Sequence, residues 1–439
     1  MIRNYITAGI LCLMAGIAQA QTRTLTLNEA IAASLQNNYD IQLSRNDSLL
    51  ATLNNSYAKY AFYPTVSANA GILQNRTKQR QEFKDTVRKG NVRTTNATAS
   101  INLNWTLFDG FRMFIARKRL NELVALSELQ IKAQVVTTVA DVMRTYYDIV
   151  RQEQQLRSIQ EQMDLSSERL KLAQYRFDIG VGAKPDVLQA QIDLNGQRSA
   201  YLTQQTNIAN LKEGLNQLLV LPSGNSFTVA DTSIAFNTSL VLDSVRSGIS
   251  ATNPELLLAQ QNLVLADLNL QERRAERYPT VSFNSAYNFN QTKNGNVINP
   301  ITQPLLNRNA GLNYGLTATV PIFNGFATRR NIQAAQLDIN YQQLQYQRSL
   351  AAINTSIATA YSNYDLYKRA LLLEEENIVL VRENIFIARE RYRLGVATFL
   401  EMRTAEQSLA EAQNRLIQAR YNTKVAEIEL MRLRGDIVR

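Results

Sequence analysis

Ala97-Thr98-Ala99-Ser100-Ile101-Asn102-Leu103-Asn104-Trp105-Thr106-Leu107 alternates apolar and polar residues without a break, and Phe108-Asp109-Gly110-Phe111 follows at once. Alternation with period two marks a strand whose faces meet different surroundings, because successive side chains point to opposite sides. The polar face here is Asn, Ser and Thr, which suits a water-filled lumen. A run of about 10 residues is what a tilted strand needs to cross a bilayer. A half-buried strand of a soluble sandwich alternates in the same way, so the neighbouring sequence has to separate the two readings.

The pattern recurs. Val281, Phe283, Tyr287 and Phe289 alternate with Ser282, Asn284, Asn288 and Asn290, and Leu316, Ala318, Val320 and Ile322 do the same further on. The connections inside each strand pair, Gln74 to Arg93 and Gln291 to Asn309, are long and polar and read as exposed loops.

These recurrences belong to one duplication. Tyr63-Pro64-Thr65-Val66-Ser67 returns 215 positions later as Tyr278-Pro279-Thr280-Val281-Ser282. Phe108-Asp109-Gly110-Phe111 returns as Phe323-Asn324-Gly325-Phe326, and Arg176-Phe177-Asp178-Ile179-Gly180-Val181 as Arg391-Tyr392-Arg393-Leu394-Gly395-Val396, both at the same offset. The period is too long for a solenoid, so each half is a whole structural unit.

Helices flank the strands. Thr26-Leu27-Asn28-Glu29 has capping-box spacing and opens a helical region reaching about Ala61; Asn253-Pro254-Glu255 opens its counterpart. Tyr-Pro ends each, since proline disfavours helix for the residue before it. Phe111 to Ile179 contains neither proline nor glycine, which at ~1.5 Å per residue is roughly 100 Å of helix. Its apolar residues form a broad two-sided stripe, with Val135, Val139, Val142, Tyr146 and Ile149 beside Val136, Met143, Tyr147 and Val150. Such a helix has neighbours on both flanks, like a stave in a wall. Ala327 to Leu394 matches it. Tight turns, Gly180-Val181-Gly182-Ala183 and Gly395-Val396-Ala397-Thr398, lead to returning helices, Asp186 to Leu219 and Phe399 to Leu433.

Composition excludes much else. The 439 residues carry no histidine and one cysteine, which removes most zinc, haem and iron–sulfur sites and all His-dependent catalysis; no metal or cofactor is expected. Carboxylates such as Glu374-Glu375-Glu376 read as a solvated helix face, so no enzyme is expected. The net charge of +10 is scattered, with no basic run longer than Arg117-Lys118-Arg119, which speaks against nucleic acid. At the N-terminus Arg3, the apolar stretch Ile6 to Ile17 and Ala18-Gln19-Ala20 form a secretory signal pattern, which takes Cys12 with it. Leu11 stands where a lipobox wants a small residue, which argues against lipidation of Cys12.

The chain is accordingly divided into a signal peptide, 1–20; a first repeat, 21–221, with a helix, a strand pair at 65–108 and a helical hairpin at 110–219; a turn-rich inter-repeat segment, 222–251; and a second repeat, 252–439, with its strand pair at 280–323 and hairpin at 325–433. Four spanning strands cannot close a barrel alone, and an open sheet edge in lipid leaves backbone groups unpaired. A symmetric homo-oligomer is implied. A dimer gives eight strands and a trimer twelve.

The Tyr-Pro and Phe-x-Gly-Phe landmarks, with the turns after Phe177-Asp178-Ile179 and Tyr392-Arg393-Leu394, resemble the TolC-like outer-membrane efflux proteins across the whole mature chain. The resemblance implies an α+β membrane channel. It implies a homotrimer with one twelve-stranded outer-membrane β-barrel, four strands from each chain, embedded in outer-membrane lipid and continued by a long periplasmic α-helical barrel. It further implies a passive exit duct of a tripartite efflux or type I secretion system, served by a periplasmic adaptor (membrane fusion) protein and an inner-membrane pump.

The resemblance also implies a periplasmic gate at Asp186 and Tyr392, bonded between neighbouring hairpins, and an acidic entrance ring at Glu401. Adaptor docking would use the two turns, Gly180, Val181, Gly182 and Ala183 with Gly395, Val396, Ala397 and Thr398. A second acidic ring position falls on Thr404 and a lock arginine on Ala397, so this chain departs at both. Position alone offers plainer readings: Asp186 as a helix-start residue beside Pro185, and Tyr392 as a packing residue. The rival to the channel is a secreted or periplasmic coiled-coil structural or adaptor protein, which would lack the Asn/aromatic alternation.

Overall fold

The computed structural model describes residues 23–237, 240–299 and 304–437, and the expected signal peptide, 1–20, lies outside them. The first repeat contains β1 (Arg23–Leu25), α1 (Leu27–Asn37), α2 (Tyr39–Tyr57), a 3-10 turn (Ala58–Phe62), β2 (Thr65–Phe83), β3 (Thr86–Phe108), α3 (Arg112–Asp178) and α4 (Lys184–Leu219). A link follows with β4 (Phe227–Val229), α5 (Leu242–Arg246) and α6 (Ile249–Thr252). The second repeat has α7 (Pro254–Ala275), β5 (Thr280–Asn294), β6 (Leu306–Thr319), α8 (Ala327–Arg393) and α9 (Phe399–Arg434).

Two compact units result, and neither is a sequence repeat. The described residues within 47–128 and 258–346 make one; those within 1–46, 129–257 and 347–439 make the other. Each draws on both halves of the chain, and α3 and α8 run from one unit into the other.

The first unit is built on an antiparallel sheet of order β2-β3-β5-β6. Its two hairpins share one register: Thr65 faces Asn104, and 215 positions on Thr280 faces Thr319. Between the hairpins Ile101 faces Tyr287 and Trp105 faces Phe283. This pairing gathers Val66, Ile101, Leu103, Phe283, Tyr287 and Leu316 on one face, and Asn102, Asn104, Asn284 and Asn288 on the other. Ile101, Tyr287 and Leu316 are exposed, an arrangement that fits a lipid solvent rather than water. Among the described residues no helix is long and apolar enough to cross a membrane.

The strands overrun the expected loops. β2 has 19 residues and β3 has 23. Gln74 to Arg93 is therefore mostly a ladder, closed where Phe83 faces Thr86 across Lys84-Asp85. β5 likewise continues to Asn294 and β6 begins at Leu306, inside the second expected loop. Ladder hydrogen bonds join backbone groups and need no apolar side chains, so pairing persists where the hydrophobic alternation stops.

In the helical unit, the stripe on α3 is the core: Val139, Val142, Tyr146, Ile149 and Val150 are fully buried, packed with Leu25, Phe227, Val229, Leu215, Leu219 and Ile428. The Tyr146 hydroxyl donates to the Leu25 carbonyl, which ties the small parallel β1–β4 pair to the helix. Burial, with Asp231 nearby, pushes the Tyr146 phenol up to about 12.

The helical region expected from Thr26 to about Ala61 is divided at Asn38. The capping box forms as expected, with Thr26 Oγ1 accepting from the Glu29 amide and Glu29 accepting from that of Thr26. At Asn38 the amide side chain donates to the Leu218 carbonyl while its oxygen accepts from the Asp40 and Ile41 amides. One side chain thus starts α2 and satisfies an orphan carbonyl at the end of α4. Asn253 repeats this at the same offset, donating to the Leu433 carbonyl and accepting from the Leu256 amide.

The turn out of the first hairpin needs its glycine. Gly110 has φ +72°, and a Cβ there would stand 2.6 Å from the Ala275 carbonyl oxygen. Its twin Gly325 has φ +62° but nothing within 4 Å.

Candidate functional site

Both hairpin tips are built by the same local chemistry. At the end of α3, the Val181 and Gly182 amides both donate to the Arg176 carbonyl, at 3.0 and 2.8 Å. Gly180, at φ +83°, makes the left-handed step this requires. At the end of α8, the Val396 and Ala397 amides donate to the Arg391 carbonyl at 2.9 and 3.1 Å, with Gly395 at φ +78°. Val181, Ile179, Val396 and Leu394 are exposed apolar residues at these ends. Gly180, Ala183, Gly395 and Thr398 are exposed, Gly182 is half-buried, and Ala397 is buried in the tip core.

Helix starts at the tips differ. Thr398 caps α9, its hydroxyl accepting from the Glu401 amide at 3.2 Å. Glu401 is exposed in the first turn, where a carboxylate is favoured by the helix dipole. Asp186 lies half-buried in the first turn of α4, after Pro185, and its amide donates to the Ala183 carbonyl.

Tyr392 is 3% exposed, packed with Ile385, Met402 and Ala405 and set edge-on to Phe399. It already holds a neighbouring hairpin of its own chain. The Arg176 guanidinium lies over its ring, 5.0 Å from the centroid, and donates to its carbonyl at 3.1 Å. Burial pushes the phenol above its ordinary value; Arg176 opposes this, and the Asp186 charge adds to it. Asp186 and Tyr392 are thus brought close enough to interact electrostatically, without a hydrogen bond between them among the described residues. Glu401 takes no part in this contact.

A buried charge cluster adjoins these residues. Arg169 on α3 lies 2.8 Å from Asp193 on α4 and 2.8 Å from Glu406 on α9, with 2% of its side chain exposed. Arg403 reaches Asp193 at 3.1 Å, and the Arg169 guanidinium also covers the Phe399 ring. These groups line a cleft of about 350 Å³. Burial pushes the Glu406 carboxyl up to about 7, against the pull of Arg169 and with the help of Asp193.

None of Arg169, Asp193, Arg403 and Glu406 was singled out by motif, and Arg176 figured only as the first residue of a repeat landmark. A signal was present: Arg169 and Arg176 are seven residues apart on one helix, and Asp186 and Asp193 seven apart on the next, which places each pair on one face. The cluster joins hairpins by charge and carries no convergent catalytic set. Among the described residues no three metal-ligating side chains gather.

Known proteins match this architecture. VceC, an outer membrane protein of Vibrio cholerae, has the same fold, with a TM-score of 0.74, 17% identity, and coverage of 93% of this chain and 96% of its own. The CmeC outer membrane channel of Campylobacter jejuni also gives 0.74 at 17% identity, covering 93% and 85%. BepC, an outer membrane efflux protein of Brucella suis biovar 1 (strain 1330), is 22% identical over 93% of this chain and 85% of its own length. Toxin and drug export protein A of Aggregatibacter actinomycetemcomitans is 21% identical over 91% and 84%. The profile of outer membrane efflux proteins matches residues 30–219 and again 245–436, once in each half. With its lipid-suited strand face, its channel fold and both halves matched, this chain is an outer-membrane efflux channel and belongs to the outer membrane efflux protein family.

Proposed function

We propose that three copies of the chain close one twelve-stranded barrel and act as the passive exit duct for an inner-membrane pump and its periplasmic adaptor. The observation that carries ring closure is the duplication of the sheet. β6 is the twin of β3 and β2 the twin of β5. Since β3 and β5 already pair within the chain, the same surfaces at the free edges pair β6 with β2 of the next copy. Moving the Trp105–Phe283 register by the repeat offset predicts Val320 opposite Ala68, Leu316 opposite Ile72 and Asn313 opposite Asn75. Each of these pairs keeps outward residues with outward and luminal with luminal. Gly325, in open space within one chain, then meets Tyr63 of the next copy as Gly110 meets Tyr278. The helical hairpins form the periplasmic conduit, with Asp186, Tyr392 and Glu401 at its gate and the exposed apolar turns as the adaptor's docking surface.

Cysteine pairs test this. Removal of the signal peptide leaves no native thiol. Ile72→Cys with Leu316→Cys should give covalent trimers on oxidation, released by reductant, whereas Leu73→Cys with Leu316→Cys, on opposite faces, should not. Cross-linking only in the displaced pair, or none in a protein that migrates as a monomer, would refute the closure.

A further inference from the structure

Past the apolar band, charge on the sheet is sorted by face. The β2–β3 ladder keeps its alternation without a slip from Val66–Leu103 to Glu82–Val87, so position alone decides which way a side chain points. Beyond Ile72–Ala97 the lipid-side face carries Arg76 opposite Arg93, Lys78 opposite Asn91, and Arg80 opposite Lys89. On the second hairpin Lys293 and Arg308 continue the same face, at the rim of the band. All of these cations are exposed. The single acid among them, Glu82, lies 3.2 Å from Arg80.

The other face is different. Its rows are Asn75–Thr94, Thr77–Val92, Gln79–Gly90 and Gln81–Arg88, with Arg88 as the one charge. It is also partly covered: Val92 is buried, Ile298 stands 3.3 Å from where a Gly90 Cβ would lie, and Arg88 donates to the Ile298 carbonyl. Like charges directly opposite on a ladder, as at Arg76–Arg93 and Arg80–Lys89, destabilise it unless an anion lies between them. Arg76 is four residues beyond Ile72, about 13 Å along the strand and less once tilted, which is the depth of lipid headgroups. The tip of this hairpin is the end remote from α2 and α3, hence the outside of the cell.

We propose that this outward cationic ladder docks the phosphorylated saccharide headgroups of the outer-leaflet glycolipid, each like-charged pair clasping a phosphate. The proposal rests on the sheet being part of an outer-membrane barrel. Guanidinium groups bind phosphate bidentately, and polybasic segments at a membrane surface gain affinity with each added cation.

The test uses the full-length protein, purified from outer membranes in mild detergent and titrated with lipopolysaccharide, intact or phosphatase-treated, by native mass spectrometry. The combined variant Arg76→Gln, Lys78→Gln, Arg80→Gln, Lys89→Gln, Arg93→Gln should bind intact lipid at least about tenfold more weakly. Dephosphorylated lipid should bind the parent as weakly as it binds that variant, and Arg88→Gln should match the parent. Should the combined variant fail to assemble, Arg80→Gln with Lys89→Gln should still weaken binding by at least about threefold. Parent-like affinity in the variant that assembles, an equal loss in Arg88→Gln, or full displacement of lipid by millimolar inorganic phosphate would overturn the proposal. Oligomer migration of the parent is followed separately, so failure of the barrel reading is seen there and not in the titration.

Discussion

Arg169, almost wholly buried, holds Glu406 at 2.8 Å and so fastens the end of one long helix to the start of another returning from the second tip. A buried ion pair of this kind adds little net stability when intact, yet removing one partner leaves an uncompensated charge that costs about 3–5 kcal/mol. Arg169→Ala should therefore loosen the tip, visible as faster amide exchange in the first turns of α9.

Glu406 should make that docking pH-dependent. Its carboxyl is pushed from 4.5 to about 7 by burial, so the packed state binds more protons than the undocked one between those values. Docking is then favoured at acidic pH and weakens as pH rises through about 7, by on the order of 1–3 kcal/mol. Amide protection at the tip, corrected for the intrinsic base-catalysed exchange that quickens with pH in any chain, should fall between pH 5.5 and 8 in the parent, and Glu406→Gln should abolish that fall.

Tyr392 gives a graded test of the proposed gate. Tyr392→Phe keeps the ring beneath Arg176 and should raise single-channel conductance in a planar bilayer only slightly. Arg176→Ala with Asp186→Ala removes both groups brought to it from the other hairpin and should raise conductance severalfold. Glu401→Gln should lower cation preference without opening the channel. Equal conductance in all three variants and the parent would move the constriction elsewhere.

The two faces of β3 should answer differently to charge. Leu103→Arg places a cation in lipid at a cost of about 2–4 kcal/mol near the midplane, whereas Asn102→Arg faces water and costs far less. Urea midpoints of the protein folded into vesicles would show the difference; equal shifts would contradict the strand register.

Val220 holds φ +56° at the end of α4, where its twin Gly435 ends α9 at φ +78°. A β-branched residue is strained there. Val220→Gly should raise stability by about 1 kcal/mol, read as a higher unfolding midpoint, while Gly435→Val should lower it by more, because a Cβ at 435 would stand 2.4 Å from the Thr252 carbonyl oxygen.

What could be read in advance follows from the range of the interactions involved. Alternation from Ala97 to Leu107 reports a face in lipid, and Tyr63-Pro64 and Gly180 report backbone angles, so strands, turns and the repeat offset were visible locally. The strand ends were not, because Arg76, Lys78 and Arg80 replace apolar residues while the backbone ladder continues beneath them. Nor was the break at Asn38: its reason is the Leu218 carbonyl, 180 residues away. The tip cluster was hidden for the same cause, since Arg403 and Asp193 meet across 210 positions. Only the seven-residue spacing of Arg169 with Arg176, and of Asp186 with Asp193, hinted at it.

The sheet ends in two strands, β2 and β6, each with one edge unpaired, and turns an apolar face outward. Before its neighbours and the bilayer arrive, a newly exported chain therefore offers both sticky edges and a greasy surface to every other copy in the periplasm. Sheet formation has to wait for insertion, and the chain has to be escorted until then. Shortage of a periplasmic holding chaperone should deplete this protein through aggregation and proteolysis well before it harms proteins whose strands close within a single polypeptide.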